Sequence, residues 1–398
     1  MNLRWLVSKT VRQAVDLRQQ VIVILNSQRD ILAPKALAEA TAALKAFDEA
    51  RARHPNDATL EAEVKKLEEA ATKWFQPYPN AGTRENLKEF LVSGVLILTI
   101  FSFFVQPMKI PSGSAQPTLY GNVVTDLRTN AQITVPDRWG RFLDWFRGLD
   151  YHVWVAKDGG TLHIEPVTTS FGFIKQQRFL LGNDAYTFWW PVDHLAEQCG
   201  VSPGQEFKAG DTVLKLRVRG GDRLFVDRLT YNFRRPERGE IIVFHTVDID
   251  HTLRVWNGYP VLTSNTHYIK RLVGLSGEKV RIGNDRHVII NGERLDATTR
   301  RFEHVYSFTG KPRDSVYSGH VNDLVSVQTG LPARKLAPLF PDENTEFEVR
   351  PNYYLALGDN TMNSFDGRGW GDFPREHVVG RALFVFWPFT SRFGLVYQ

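Results

Sequence analysis

Residues 268–292 read YIKRLVGLSGEKVRIGNDRHVIING, and the reading of this stretch decides the fold. Three short apolar runs, Tyr268–Gly274, one from Lys279 and one from His287, are divided by breaks that contain Gly, Ser, Asn and Asp. Runs of that length, rich in Val and Ile and bounded by turn residues, predict strands. Asn291-Gly292 lies directly after an apolar run and predicts a tight hairpin turn. The same texture recurs at Glu240–Thr246, Tyr353–Gly358 and Arg381–Pro388. Residues 109–398 are therefore expected to be mainly antiparallel β. Two regions read as elaborations on that β core. One, about 120–220, is rich in Trp and Phe; the other, about 300–345, is mixed and loop-rich.

Upstream the texture is helical. Phe90–Met108 reads FLVSGVLILTIFSFFVQPM, a run without a charge and with no polar face, close to the length that spans hydrocarbon as a helix. It lies too far into the chain for a cleavable signal peptide and reads as a permanent anchor. Lys and Arg on its two flanks are too evenly placed to set orientation. Residues 1–89 precede it. Val7, Val11, Ala14 and Val15 recur at helical spacing, with basic residues between them. Residues 35–53 and 57–75 are rich in Ala, Glu, Lys and Leu and predict a helical hairpin, broken at His54-Pro55-Asn56-Asp57 with Asp57 as N-cap.

Composition bounds the rest. The 398 residues, 45.5 kDa, allow two or three folded units. A hydrophobic share of 42% excludes disorder as the general state. The net charge of +5 is a thin excess that does not choose between an anionic membrane and nucleic acid. No nucleic-acid partner is expected, because no DNA-binding module is recognisable. A single cysteine, Cys199, excludes an intrachain disulfide and a Cys-based zinc cluster. There is no Walker loop, no dinucleotide fingerprint, no paired-His zinc motif and no Gly-x-Ser-x-Gly elbow, so neither metal nor cofactor is expected.

Three strings carry chemistry. Pro111-Ser-Gly-Ser-Ala-Gln-Pro-Thr-Leu119 is a shaped loop just after the apolar run. Lys270 sits inside an apolar strand, where a charged amine is costly and the pKa falls toward that of a usable base. Strand alternation puts it on one face with Tyr268 and Leu272 and turns Arg271 to the other. Gly358-Asp-Asn-Thr-Met-Asn-Ser-Phe-Asp-Gly-Arg-Gly-Trp-Gly371 leaves a strand as a polar loop whose Asp359, Asp366 and Arg368 fit an Arg–Asp network.

In this order the strings resemble bacterial type I signal peptidases, the Ser-Lys dyad family. Pro111–Leu119 is similar to the family's P-S-x-S-M-x-P-T-L, with Ala115 in place of Met. Gly221–Tyr231, Arg238–Phe244 and Tyr268–Gly274 resemble the next boxes. Gly358–Arg368 resembles G-D-N-R-D-N-S-x-D-S-R, with Thr361, Met362 and Gly367 departing. The resemblance does not cover residues 1–89 or the bulk of 120–220, an insertion of roughly 100 residues.

The resemblance implies a serine endopeptidase that removes signal peptides from secretory preproteins, cleaving after small residues at −1 and −3. It makes Ser114 the nucleophile and Lys270 the base. Ser112 with the Ser114 N–H forms the oxyanion hole, and Ser364 orients the base. Arg271 with Asp359, and Asp366 with Arg368, are supporting ion pairs. Ile110 and Tyr268 fall at the substrate pocket. It further implies a single-pass protein of the bacterial cytoplasmic membrane, with preproteins and the phospholipid bilayer as partners. The peptidase domain, 109–398, would lie outside and residues 1–89 in the cytoplasm. Two alternatives stay open: a membrane-anchored β-domain with a decayed site that binds or scaffolds, and a self-cleaving Ser-Lys peptidase.

Overall fold

The computed structural model describes residues 8–396 except 54–55, 76–80, 130–131, 171, 173, 193–194, 248, 250–254, 257–258, 261–265, 313–317 and 330–335. The chain divides into two compact units, 1–95 and 96–398.

The first unit contains three packed helices, Lys9–Gln28, Pro34–Ala52 and Asp57–Trp74. The second and third form the expected hairpin, and the first packs against both, burying Ala14 and Val21 with Phe47, Leu60 and Leu67. The cap of the third helix is Asn56, not Asp57: the Asn56 side chain accepts from Thr59 N at 2.9 Å and leaves Asp57 as first-turn acid. Val7 and the His54-Pro55 break lie outside the described residues.

The apolar helix runs Ala81–Phe103, and among the described residues it alone is long and apolar enough to cross a membrane. It stops short of the Met108 boundary expected for the anchor, because Val105–Lys109 is a strand. Pro107 disfavours helix at Gln106. Arg228 then satisfies the freed end, donating from Nη1 to Ser102 O at 2.8 Å and from its backbone N to Phe104 O at 3.0 Å.

Val105–Lys109 is the edge of an antiparallel sheet. The order is Val105–Lys109, Arg223–Asp227, Val378–Trp387, Ile241–His245, His267–Gly274, Tyr353–Leu357 and Phe373–Pro374, with Gly394–Leu395 added on Val378–Trp387. A second sheet, Glu293–Arg294, Val288–Ile290, Lys279–Ile282 and Phe347–Glu348, contains the expected hairpin. Asn291 and Gly292 both have positive φ, 50° and 90°, as a tight two-residue turn requires.

The 120–220 region forms two further sheets around its own core, in which Trp154, Leu162, Phe179, Phe188, Cys199 and Leu214 are buried. Its ends are stitched together. Tyr120 N donates to Asp222 Oδ2 at 2.8 Å, Asp222 N to Tyr120 O at 2.8 Å, and Gly221 N to Asn122 Oδ1 at 2.9 Å. A Cβ at Gly221 would lie 2.0 Å from Ile110 O, and one at Gly121 would lie 2.1 Å from Ser112 C. Only glycine lets the two ends of the insertion close against the Ser114 loop, so the extra module leaves the main sheet in register.

Candidate active site

The edge strand Val105–Lys109 pairs with Arg223–Asp227 and delivers the chain into a single 3-10 turn, Gly113–Ala115. Ser114 sits in that turn. Ala115, where the family pattern has Met, points into the core with Leu119 and Leu224. Ile110 is packed in the same cluster at 2% exposure, so its side chain lies behind the loop and offers no open pocket surface.

Lys270 is at the middle of His267–Gly274, flanked by Ile241–His245 and Tyr353–Leu357. Its Nζ lies 2.6 Å from Ser114 Oγ across 156 residues of sequence. Each of the two residues is only 5% exposed. Burial pushes the Lys270 amine down from its ordinary value to about 8. The Asp366 charge resists that fall, the Arg368 charge adds to it, and Asp359 again resists. The Tyr268 ring lies 5.6 Å from Nζ, on the face that alternation predicts, and Tyr268 is half-buried. A hydroxyl in hydrogen-bond contact with an amine of depressed pKa can be deprotonated as it attacks.

Ser112 is exposed and donates to Ser114 Oγ at 3.3 Å, within reach of the same reacting position. Ser364 is buried beside the site, but the expected bond to Lys270 is not formed: Ser364 Oγ is without a hydrogen-bond partner among the described residues. It packs instead over Gly358, where a Cβ would lie 2.0 Å from that Oγ and 2.7 Å from Ser114 O.

Two buried arginine networks hold the loops around the pair. Arg271 pairs with Asp359 through Nε–Oδ1 at 2.7 Å and Nη2–Oδ2 at 2.6 Å. Arg368 pairs with Asp366 at 2.8 and 2.9 Å, and Asp366 also accepts from Gly358 N at 2.9 Å. Burial works to raise the Asp366 pKa, but the Arg368 charge and hydrogen bonds hold it low, so it stays a carboxylate.

Three positioning residues were not singled out from the sequence, although all lie in Pro111–Leu119 or Gly358–Gly371. Thr118 donates to Asp359 Oδ2 at 2.6 Å and accepts from Arg271 Nη2 at 2.9 Å. Asn360 donates from its backbone to Ser114 O at 3.0 Å and from Nδ2 to Gly113 O at 3.0 Å. Thr361 accepts from Val321 N at 3.0 Å and from Arg368 Nη1. The departures from the family pattern are thus accommodated. Thr361 serves Arg368, Met362 packs on Val321, Val325 and Leu336, and at Gly367 a Cβ would lie 2.6 Å from Leu355 Cδ1. Among the described residues no His, Cys, Asp and Glu group is arranged to hold a metal.

Known proteins share this part of the chain. The model of the family "Signal peptidase, peptidase S26" matches residues 214–387. A probable signal peptidase I-2 of Synechocystis sp. is 33% identical over 175 residues, 44% of this chain and 59% of that protein. The signal peptidase I of Leptolyngbya laminosa is 33% identical over 173 residues, 44% of this chain and 63% of that protein. A signal peptidase I crystal structure from Enterococcus faecalis overlaps 37% of this chain and 97% of its own, at 21% identity and a TM-score of 0.20. This chain thus spans about three fifths of the length of the two curated relatives it matches. The family match begins after Ser114 and includes Lys270 and the Gly358–Arg368 loop. On that match, residues 214–387 are similar to the signal peptidase family, peptidase S26, and to the bacterial type I signal peptidases within it.

Proposed function

We propose that this chain is a membrane-bound serine endopeptidase that removes signal peptides from secretory preproteins with a Ser114–Lys270 dyad. The contact that carries the reading is Lys270 Nζ to Ser114 Oγ, 2.6 Å, in a site dry enough to lower the amine to about 8. Ser114 Oγ attacks the scissile carbonyl carbon while neutral Lys270 takes its proton. The Ser114 N–H and the Ser112 hydroxyl stabilise the oxyanion. The lysine ammonium then protonates the leaving amine, and the regenerated amine activates water to release the acyl group. Arg271–Asp359 and Asp366–Arg368 keep the two loops in place. Ser364 is buried beside the pair without a bond to the amine, and Tyr268 borders the substrate.

The substrate binds extended, as an added strand beside the Ser114 loop, with small residues at −1 and −3. The apolar helix Ala81–Phe103 is the anchor, and the short strand Val105–Lys109 carries the chain from its end to the Ser114 turn. That tether presents Ser114 to a cleavage site emerging from the bilayer without a search in three dimensions. The peptidase domain then lies on the outer side of the cytoplasmic membrane and the N-terminal helices in the cytoplasm. The deciding experiment is processing of a precursor protein by the full chain in membranes. Ser114→Ala and Lys270→Ala should each accumulate in the membrane and leave the precursor uncut; normal processing by either removes the dyad.

A further inference from the structure

The helix Arg138–Phe146, RWGRFLDWF, is mounted in reverse for a globular protein. It has no buried residue. Its large apolar side chains, Trp139, Phe142, Leu143 and Trp145, are 76, 54, 59 and 54% exposed. On a helix of 3.6 residues per turn, Trp139, Phe142, Leu143 and Phe146 share one face and Asp144 lies opposite. Asp144 is the group turned inward, accepting from Tyr151 Oη at 2.9 Å. The mounting is rigid. Phe389 N donates to Phe146 O at 2.9 Å, Gly148 N donates to Trp145 O at 2.9 Å, and Asp137 caps the first turn through Gly140 N at 2.8 Å. Gly148, at φ 75°, fits under Pro388, where a Cβ would lie 2.9 Å from Pro388 Cβ.

The apolar face and the end of the apolar helix are both tied by ring contacts to the strand Val378–Trp387. Phe101 stacks on Phe225 at 6.1 Å, and Phe225 on Phe386 at 4.5 Å. The next residue, Trp387, meets Trp145 at 6.3 Å, and Phe146 stacks on Phe389 at 6.2 Å. Rings leading from the last turn of the apolar helix and rings of the Arg138–Phe146 helix thus meet successive residues, Phe386 and Trp387, of the strand Val378–Trp387. Arg138, Arg141 and Arg147 are exposed on the same short segment. Helical spacing puts Arg138 and Arg147 at the two edges of the apolar face and Arg141 behind it; Trp and Phe over a face edged by Arg is the composition that settles at a headgroup layer, the rings at the acyl boundary and the cations among phosphates.

We infer that Arg138–Phe146 is a second membrane contact, an interfacial helix that lies in the headgroup layer of an anionic bilayer beside the anchor. This rests on the reading of Ala81–Phe103 as membrane-spanning. Together the anchor and this helix would fix the domain at two points and hold the Ser114 loop at a set height.

The test uses the full chain in vesicles of phosphatidylcholine with or without phosphatidylglycerol. Phe142→Cys is labelled with an environment-sensitive dye, and Leu98→Cys, in the apolar helix, is labelled separately; Cys199 is buried, and the parent chain checks that it stays unlabelled. The Phe142 probe should shift to the blue and be quenched by lipids spin-labelled near the headgroup, more strongly with phosphatidylglycerol. Arg138→Gln/Arg147→Gln should abolish that lipid preference. A quenched Leu98 probe with an unquenched Phe142 probe overturns the second contact and spares the anchor. If neither is quenched, the anchor reading falls and takes this one with it. Shielding of the Phe142 probe that appears only at high protein-to-lipid ratio assigns the face to a second copy and also overturns the proposal. As an independent arm, Trp139→Ser/Phe142→Ser/Leu143→Ser should lower processing of a membrane-inserted precursor several-fold and leave cleavage of a soluble peptide unchanged. Equal effects on both substrates would contradict the inference.

Discussion

The pH dependence of peptide cleavage tests the base directly. Lys270 is buried with its Nζ against Ser114 Oγ, and its pKa is lowered to about 8 chiefly because the ammonium has lost water. At pH 7 a group of that pKa is neutral in about one molecule in eleven, whereas a lysine at 10.5 is neutral in roughly one in three thousand. The shift therefore raises the competent fraction about 300-fold, equivalent to about 3 kcal/mol. The proposed role fixes the sign: a lysine acting as base must be neutral, so kcat/KM should rise about tenfold per pH unit below 8 and level off above it. The assay is kcat/KM for a signal-sequence peptide with the full chain in detergent, from about pH 6 to about pH 10. Lys270→Arg should be inactive across that range, since guanidinium keeps its proton. A limb near pH ~6.5 together with an active Lys270→Arg would refute the argument and point to a histidine base.

The same shift has a stability cost. The folded-state pKa of Lys270 is depressed, so the penalty for burying its ammonium is absent above about pH 10.5 and complete once pH has fallen below about 8. Lys270→Met should therefore be inactive yet more stable at neutral pH, by up to ~3 kcal/mol, with the gap to the parent closing toward pH 10.5. Denaturant titrations at several pH values read this, and a gap independent of pH would sink it. Arg271→Met removes the partner of buried Asp359 and should cost ~3–5 kcal/mol in the same assay; a loss under ~1 kcal/mol means the pair does not hold the loops. Gly367→Ser restores the family pattern but forces its Cβ to 2.6 Å from Leu355 Cδ1 and 2.9 Å from Ala356 O, so it should destabilise by ~1–3 kcal/mol. An unchanged or raised melting midpoint would show that the loop has room after all.

The strands around Lys270 were legible because each is a short apolar run ended by turn residues, and the Asn291-Gly292 hairpin because two positive φ angles demand such a pair. The end of the apolar helix was not legible. Hydropathy continues past Phe103, and what converts Val105–Lys109 to strand is pairing with Arg223–Asp227, more than a hundred residues away. The 120–220 region was legible as an elaboration from its Trp and Phe content, but composition could not divide those rings between a core around Phe179 and an outward face around Trp139. Within the site, residue type and order brought Ser114 and Lys270 to notice, and the fold sets them in contact. Ser364 shows the limit of carrying a role from a pattern, since a hydroxyl placed beside an amine need not be turned toward it. The substituted positions make the complementary point. Thr361 and Gly367 look like losses when strings are compared, yet Thr361 is a ligand of Arg368 and Gly367 is the residue that Leu355 leaves space for. A departure from a pattern weakens a site only when the partner it served is left unserved, and here the Arg368–Asp366 pair remains fully hydrogen-bonded.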